Sequence, residues 1–248
     1  MPNSESIRYR VTHTTEYKYD ESVSRCYNLA NVVPRDTDRQ VCLNTQLKVA
    51  PLPAHANERQ DYFGNTAYYF AVQKSHKSLA ITAESEIHVK DKNYQPALEF
   101  GVSCESANKM LFDTHDPEVL FAREFLLDSP MIKASESLAA YARPLFTPAR
   151  PLLSAVRELT TIIFREFAYD PNFTTVATPL SEVLEHKRGV CQDFAHLAIG
   201  CLRSLGYPAR YVSGYLEPLP PPGQEKLIGA DATHAWFAVY SPGEGWFE

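Results

Sequence analysis

The stretch Arg188-Gly189-Val190-Cys191-Gln192-Asp193-Phe194-Ala195-His196, followed by Asp231-Ala232-Thr233-His234-Ala235-Trp236, decides how this chain is read. Arg188-Gly189 turns the chain, and Cys191 then stands where a helix begins. A helix start presents backbone N–H groups without helical acceptors and the positive end of the macrodipole. Both favour the thiolate, the reactive form of a cysteine. His234 opens a strand-like run, His234-Ala235-Trp236-Phe237-Ala238-Val239-Tyr240. An imidazole beside such a thiol completes an activated nucleophile. Taken singly, each has a plainer reading: a free cysteine is often a small core hydrophobe, and a strand histidine is often structural. The pairing favours chemistry.

Outward from Cys191, an apolar stripe of Ala195, Ala198, Ile199, Leu202 and Leu205 predicts a helix to Leu205, closed by Gly206 with Pro208 beyond. Ala209–Leu216 reads as a strand, Glu217–Gly229 as an exposed Pro-rich loop, Ser241–Gly245 as a turn, and Trp246-Phe247-Glu248 as the start of another strand. Upstream, Leu152, Leu153, Val156, Leu159, Ile162, Ile163 and Phe167 recur at helical spacing after Pro151. Ser181–Glu185 reads as a short helix. Asp116-Pro117-Glu118 reads as an N-cap, a proline at N1 and an acid in the first turn.

The first ~90 residues follow a different period. Val41, Leu43, Thr45, Leu47 and Val49 alternate with polar residues, as do Leu79, Ile81, Ala83, Ser85, Ile87 and Val89, and Ile7, Tyr9 and Val11 begin a similar run. Gly64-Asn65 between aromatic segments signals a hairpin. The expected architecture is α+β: a β-sandwich over residues 1–95, a helical connecting segment over 96–150, and a core of helices packed on an antiparallel sheet over 151–248. The segments read as linkers are 96–115 and 143–151.

Composition narrows the function. The 248 residues carry 30 acidic against 24 basic side chains, a net charge of −6 that argues against a nucleic-acid partner. Five cysteines, an odd number without paired spacing, do not form a disulfide framework, and a reducing, cytoplasmic setting is expected. The polar start Met-Pro-Asn-Ser-Glu-Ser has no apolar h-region, and no run is long enough to span a membrane, so neither secretion nor membrane association is expected. Oligomeric state is not encoded in any of these features.

Other candidates around the pair are weaker. Gln192 offers an amide donor to an oxyanion, and Tyr169 and Trp236 are candidates to line a cleft. Asp193 suits a helix cap. Cys201 sits among apolar residues in mid-helix and reads as structural. His196 lies five residues after Cys191, ~140° round the helix, and is expected to point away from it. Asp231 would orient the imidazole only if its loop folds back. Cys191, His196 and His234 match no standard zinc spacing, so no metal and no cofactor are expected.

Gly189-Val190-Cys191-Gln192-Asp193-Phe194-Ala195, then Leu205-Gly206-Tyr207-Pro208-Ala209-Arg210-Tyr211-Val212-Ser213-Gly214-Tyr215, then His234-Ala235-Trp236 and Gly245-Trp246, together resemble the bacterial transglutaminase-like superfamily, whose members are often described as candidate cysteine proteases. The core resemblance covers roughly residues 150–248. More loosely, the first ~90 residues resemble the N-terminal domain that accompanies this core in bacterial members. The resemblance implies a papain-like Cys-His-Asp triad acting by acyl transfer, with Cys191 as nucleophile and His234 as base. It places the acid on the strand after the His strand, beyond the Gly-Trp. The chain ends at Glu248 before any such segment, so a core truncated at its C-terminus is expected, with no motif-matched third acid. Calcium is not implied, because no acidic ligand loop is present.

The expected function is therefore thiol-dependent acyl transfer on the carboxamide or peptide bond of a peptide or protein substrate. Water as acceptor makes it a peptidase or amidase; an amine makes it a transglutaminase-type transferase. The alternative is a catalytically defective module of the same fold that binds peptide without turnover. A structural or assembly role would rest on the β-sandwich alone, and fold does not imply function.

Overall fold

In the N-terminal unit, residues 1–95, alternation becomes two antiparallel sheets. The computed structural model describes residues 6–90, 97–173, 175, 178–217 and 233–248. The strands are β1 (Ile7–Val23), β2 (Cys26–Ala30), β3 (Gln40–Ala50), β4 (His55–Gln60), β5 (Thr66–Val72) and β6 (His76–Val89). One sheet has the order β1-β6-β3 and the other β2-β5-β4. Every second residue of β6 from Leu79 to Ile87 is buried, because successive side chains leave a strand on opposite faces. Phe70 and Val72 from one sheet meet Leu79 and Ile81 from the other, so the sheets enclose a small apolar layer, the sandwich expected from the sequence.

The β4–β5 hairpin turns through the expected Gly64-Asn65. Asp61, Tyr62 and Phe63 belong to the turn rather than to a strand. The Asp61 carboxylate accepts from the Phe63 and Asn65 amides at 2.9 and 2.8 Å. Gly64 takes φ +79°, a conformation that suits glycine.

The second unit spans residues 96–248. Its elements are α1 (Cys104–Phe112), α2 (Pro117–Arg123), α3 (Glu136–Ala142), α4 (Leu152–Glu166), β7 (Ala168–Tyr169), α5 (Leu180–His186), β8 (Arg188–Gly189), α6 (Cys191–Ser204), β9 (Ala209–Gly214), β10 (His234–Ser241) and β11 (Gly245–Phe247). Ser103, Asp116 and Ser135 cap α1, α2 and α3 by accepting from the amides of Ser106, Glu118 and Leu138. Residues 96–115 are not a linker: α1 lies within them and buries Cys104, Ala107 and Leu111 on one face. These residues, with Val119, Ala122 and Leu138, join the same core as α4 and α6, so the segment 96–150 is part of the unit's packing and not only a connection. The stripe on α1 is short and built largely from small residues, which is why periodicity does not announce it.

α6 occupies the centre. Leu197, Ala198, Ile199, Cys201 and Leu202 are all 1% exposed or less, so burial runs round the helix and exceeds the predicted stripe. Its neighbours approach closely: a Cβ on Gly200 would lie 2.9 Å from Leu138 Cδ1 and 3.2 Å from Leu180 Cδ1. The helix ends as expected, with Leu205 as cap and Gly206 at φ +85°. Arg203 then ties the chain down, donating to the Ala209 carbonyl through Nε and Nη2 and to the Leu127 carbonyl through Nη1. The sheet β11-β10-β9 is antiparallel and packs against α6. Of the expected Pro-rich loop Glu217–Gly229, only Glu217 lies within the described residues.

Candidate active site

A short parallel ladder launches Cys191. α5 ends with Lys187 in the left-handed region, φ 50° and ψ 45°. β8 then pairs with β7, Ala168 opposite Arg188 and Tyr169 opposite Gly189. The Ala168 amide donates to the Lys187 carbonyl at 2.8 Å, and the Asp170 amide to the Gly189 carbonyl at 2.9 Å. Val190 is extended, and the chain turns into α6 at Cys191.

Asp193 fixes that turn. Its carboxylate, only 5% exposed, accepts from the Val190 amide at 2.8 Å. A Cβ on Gly189 would lie 2.7 Å from the same carboxylate's Oδ2, so the glycine is required by close approach. The first inward bond of α6 is from the Phe194 amide to the Val190 carbonyl. The amides of Cys191 and Gln192 therefore have no helical acceptor, which makes this end an anion-favouring site. Behind it Phe194 packs edge-on to Phe167 at 5.9 Å, and Phe167 to Tyr141 at 6.2 Å, bracing the first turn.

Cys191 and Gln192 are both half-buried at this end. Tyr211 of β9 comes to the same place. Burial pushes its phenol pKa up, and its electrostatic interactions with Cys191 and Asp193 push it further. The His196 ring lies 5.1 Å from the Tyr211 ring. Burial pulls the His196 pKa down, Asp193 opposes that shift and Arg203 adds to it. His196 therefore contacts β9 through Tyr211. Tyr211 was not singled out in the sequence; its position becomes visible only once β9 is laid against α6.

His234 is the first residue of β10, paired with Gly214 of β9, and β10 packs against α6. Among the described residues, the side chains of Cys191 and His234 make no hydrogen bond with each other. Trp236 lies across Gly214, where a Cβ would fall 2.6 Å from its indole ring, and its Nε1 donates to Glu248 Oε2 at 3.0 Å. Tyr169 sits opposite Gly189 and is 68% exposed, so it is surface beside the Cys191 loop, not core. Asp231 lies outside the described residues. Among those described, no helix is long and apolar enough to cross a membrane.

Two family models match the chain: the bacterial transglutaminase-like N-terminal region over residues 9–88 and the transglutaminase-like superfamily over residues 139–248. An uncharacterized protein of Mycobacterium tuberculosis is 41% identical over 98% of this chain and 76% of its own length. A protein-glutamine gamma-glutamyltransferase of Pseudomonas aeruginosa is 27% identical over 42% of this chain and 17% of its own. A crystal structure from Cytophaga hutchinsonii, described as a candidate cysteine protease, shares the fold with a TM-score of 0.72 at 22% identity, covering 98% of this chain and 75% of that one. The chain belongs to the transglutaminase-like superfamily, in the bacterial form that carries its own N-terminal region.

Proposed function

We propose that the protein is a thiol-dependent acyl-transfer enzyme acting on carboxamide or peptide bonds of a peptide or protein, with Cys191 as nucleophile and His234 as base. The observation that carries this reading is the position of Cys191 as first residue of a buried helix whose opening turn is held by Asp193 and whose flank packs on the strand begun by His234. The thiolate sulfur attacks the carbonyl carbon. The amides of Cys191 and Gln192, with the Gln192 side chain, receive the developing oxyanion. The imidazolium of His234 protonates the departing amine. Water or a second amine then releases the thioester, giving hydrolysis or transamidation. Tyr169 and Trp236 border the approach to the thiol. The gamma-glutamyltransferase among the relatives supports a carboxamide as the acyl donor. Five free thiols suit a reducing, cytoplasmic setting.

The test is ammonia or amine release from glutamine-bearing and amide-linked peptides, with and without an added primary amine. Release that disappears in Cys191→Ala, and falls by at least about 10³-fold in His234→Ala, supports the reading, since base and nucleophile act as a unit. Peptide binding without release, unchanged in both variants, would instead identify a binding module.

A further inference from the structure

A second thiol–imidazole pair lies in the N-terminal unit, where β2 and β6 begin. The Cys26 sulfur is 3.6 Å from His76 Nε2, and Asn28 Nδ2 donates to the same sulfur at 3.3 Å. His76 Nδ1 is 2.7 Å from the Lys74 carbonyl oxygen. A carbonyl only accepts, so Nδ1 carries a hydrogen and Nε2 of the neutral ring turns its lone pair to the thiol. The S–H therefore donates to Nε2. The ring is held in place: His76 is 7% exposed, and Tyr19 packs edge-on against it at 5.7 Å. Cys26 itself remains partly exposed.

The other cysteine of this unit provides the contrast. Cys42 is also partly exposed, but its sulfur meets the Thr45 hydroxyl at 3.1 Å and the Asn44 carbonyl at 3.6 Å, and neither is a base. Of these two cysteines, Cys26 is the one with both a base for its proton and an N–H donor for the resulting sulfur anion among the described residues.

We propose that Cys26 is a modification site, a thiol oxidised by a small peroxide to the sulfenic acid. The thiol proton passes to His76 Nε2. The sulfur attacks one peroxide oxygen, the S–O bond forms and the O–O bond breaks. The departing hydroxide takes the proton from the imidazolium and leaves as water. Sulfur loses two electrons and the peroxide gains them, so thiol and hydrogen peroxide become sulfenic acid and water. Asn28 steadies the anion before attack. This chemistry is separate from that of Cys191 and stands or falls without it.

The experiment treats the full chain with hydrogen peroxide at pH 7 in the presence of dimedone and measures tagging at each cysteine by peptide mass spectrometry. Cys26 should be tagged at least about tenfold faster than Cys42, because the thiolate is the reacting species. His76→Gln should bring Cys26 down to the Cys42 rate, and Asn28→Ala should slow it severalfold. Tagging of buried Cys104 reports unfolding of the second unit, and circular dichroism of the sheet reports the first. Should His76→Gln unfold, the wild-type ratio and Asn28→Ala decide. Equal rates at Cys26 and Cys42, or a Cys26 rate unchanged by a folded variant, would overturn the proposal.

Discussion

The Asp193 carboxylate accepts the Val190 amide at 2.8 Å while sitting where a side chain on Gly189 would have to go. One acid thus sets the path of the chain into Cys191. Removing it leaves a partly buried amide unpaired. Asp193→Ala is expected to cost about 1–3 kcal/mol, seen as a lower urea midpoint at unchanged slope. Gly189→Ala should cost about 1–3 kcal/mol through overpacking. The two should fall somewhat short of additive, because the double variant loses the collisions with Oδ2 and Cγ but keeps the one with the residue-193 Cβ, 2.8 Å away; a double-mutant cycle measures that coupling. Full additivity would show that the collision with the residue-193 Cβ, not with the carboxylate, makes the glycine necessary.

His196 carries a pH prediction. Burial holds its folded-state pKa below the ordinary histidine value, so near pH 6.5 the unfolded chain binds a proton that the fold refuses. The direction follows: stability is full above the unfolded value and is lost as pH falls through it towards the folded one. Unfolding midpoints measured from pH 7.5 to 5 should fall in the wild type and fall less in His196→Gln. Parallel curves would show that the imidazole is not the group responsible.

Cys201 is the internal control for thiol chemistry. Fully buried in mid-α6, its thiol pKa is pushed up to about 12 by burial. It should resist iodoacetamide at pH 8 in the folded protein and react once urea unfolds the chain. Cys201→Ser, which places a hydroxyl in this apolar setting, should destabilise by about 1–3 kcal/mol.

The parts of the fold that were legible in the sequence are those where local rules and tertiary packing agree. α6 begins at Cys191 and closes at Gly206 as read, because a turn, an apolar run and a C-cap glycine all point the same way. The sandwich showed through β6, where every second residue from Leu79 to Ile87 is buried, and through β3, where Thr45, Leu47 and Val49 are partly buried between exposed neighbours. β4 did not show, since all six of its residues are exposed and only pairing with β5 makes it a strand. β7 and β8 are two residues each and exist because the chain on either side brings them together. Within the candidate site, Cys191 and His234 were visible as residue types in a pattern. Tyr211 was not, because its relation to the thiol depends on which strand lies beside α6. Asp193 was read as a cap, which its bond to Val190 bears out.

The rate of Cys191 alkylation as a function of pH tests the activated nucleophile most directly. With iodoacetamide at pH 6.5, Cys191 should react at least about tenfold faster than a free thiol of pKa ~8.5, and His234→Ala should remove most of that advantage. A Cys191 that reacts no faster than the free thiol, with a profile unmoved by the loss of His234, would contradict a thiol–imidazole enzyme.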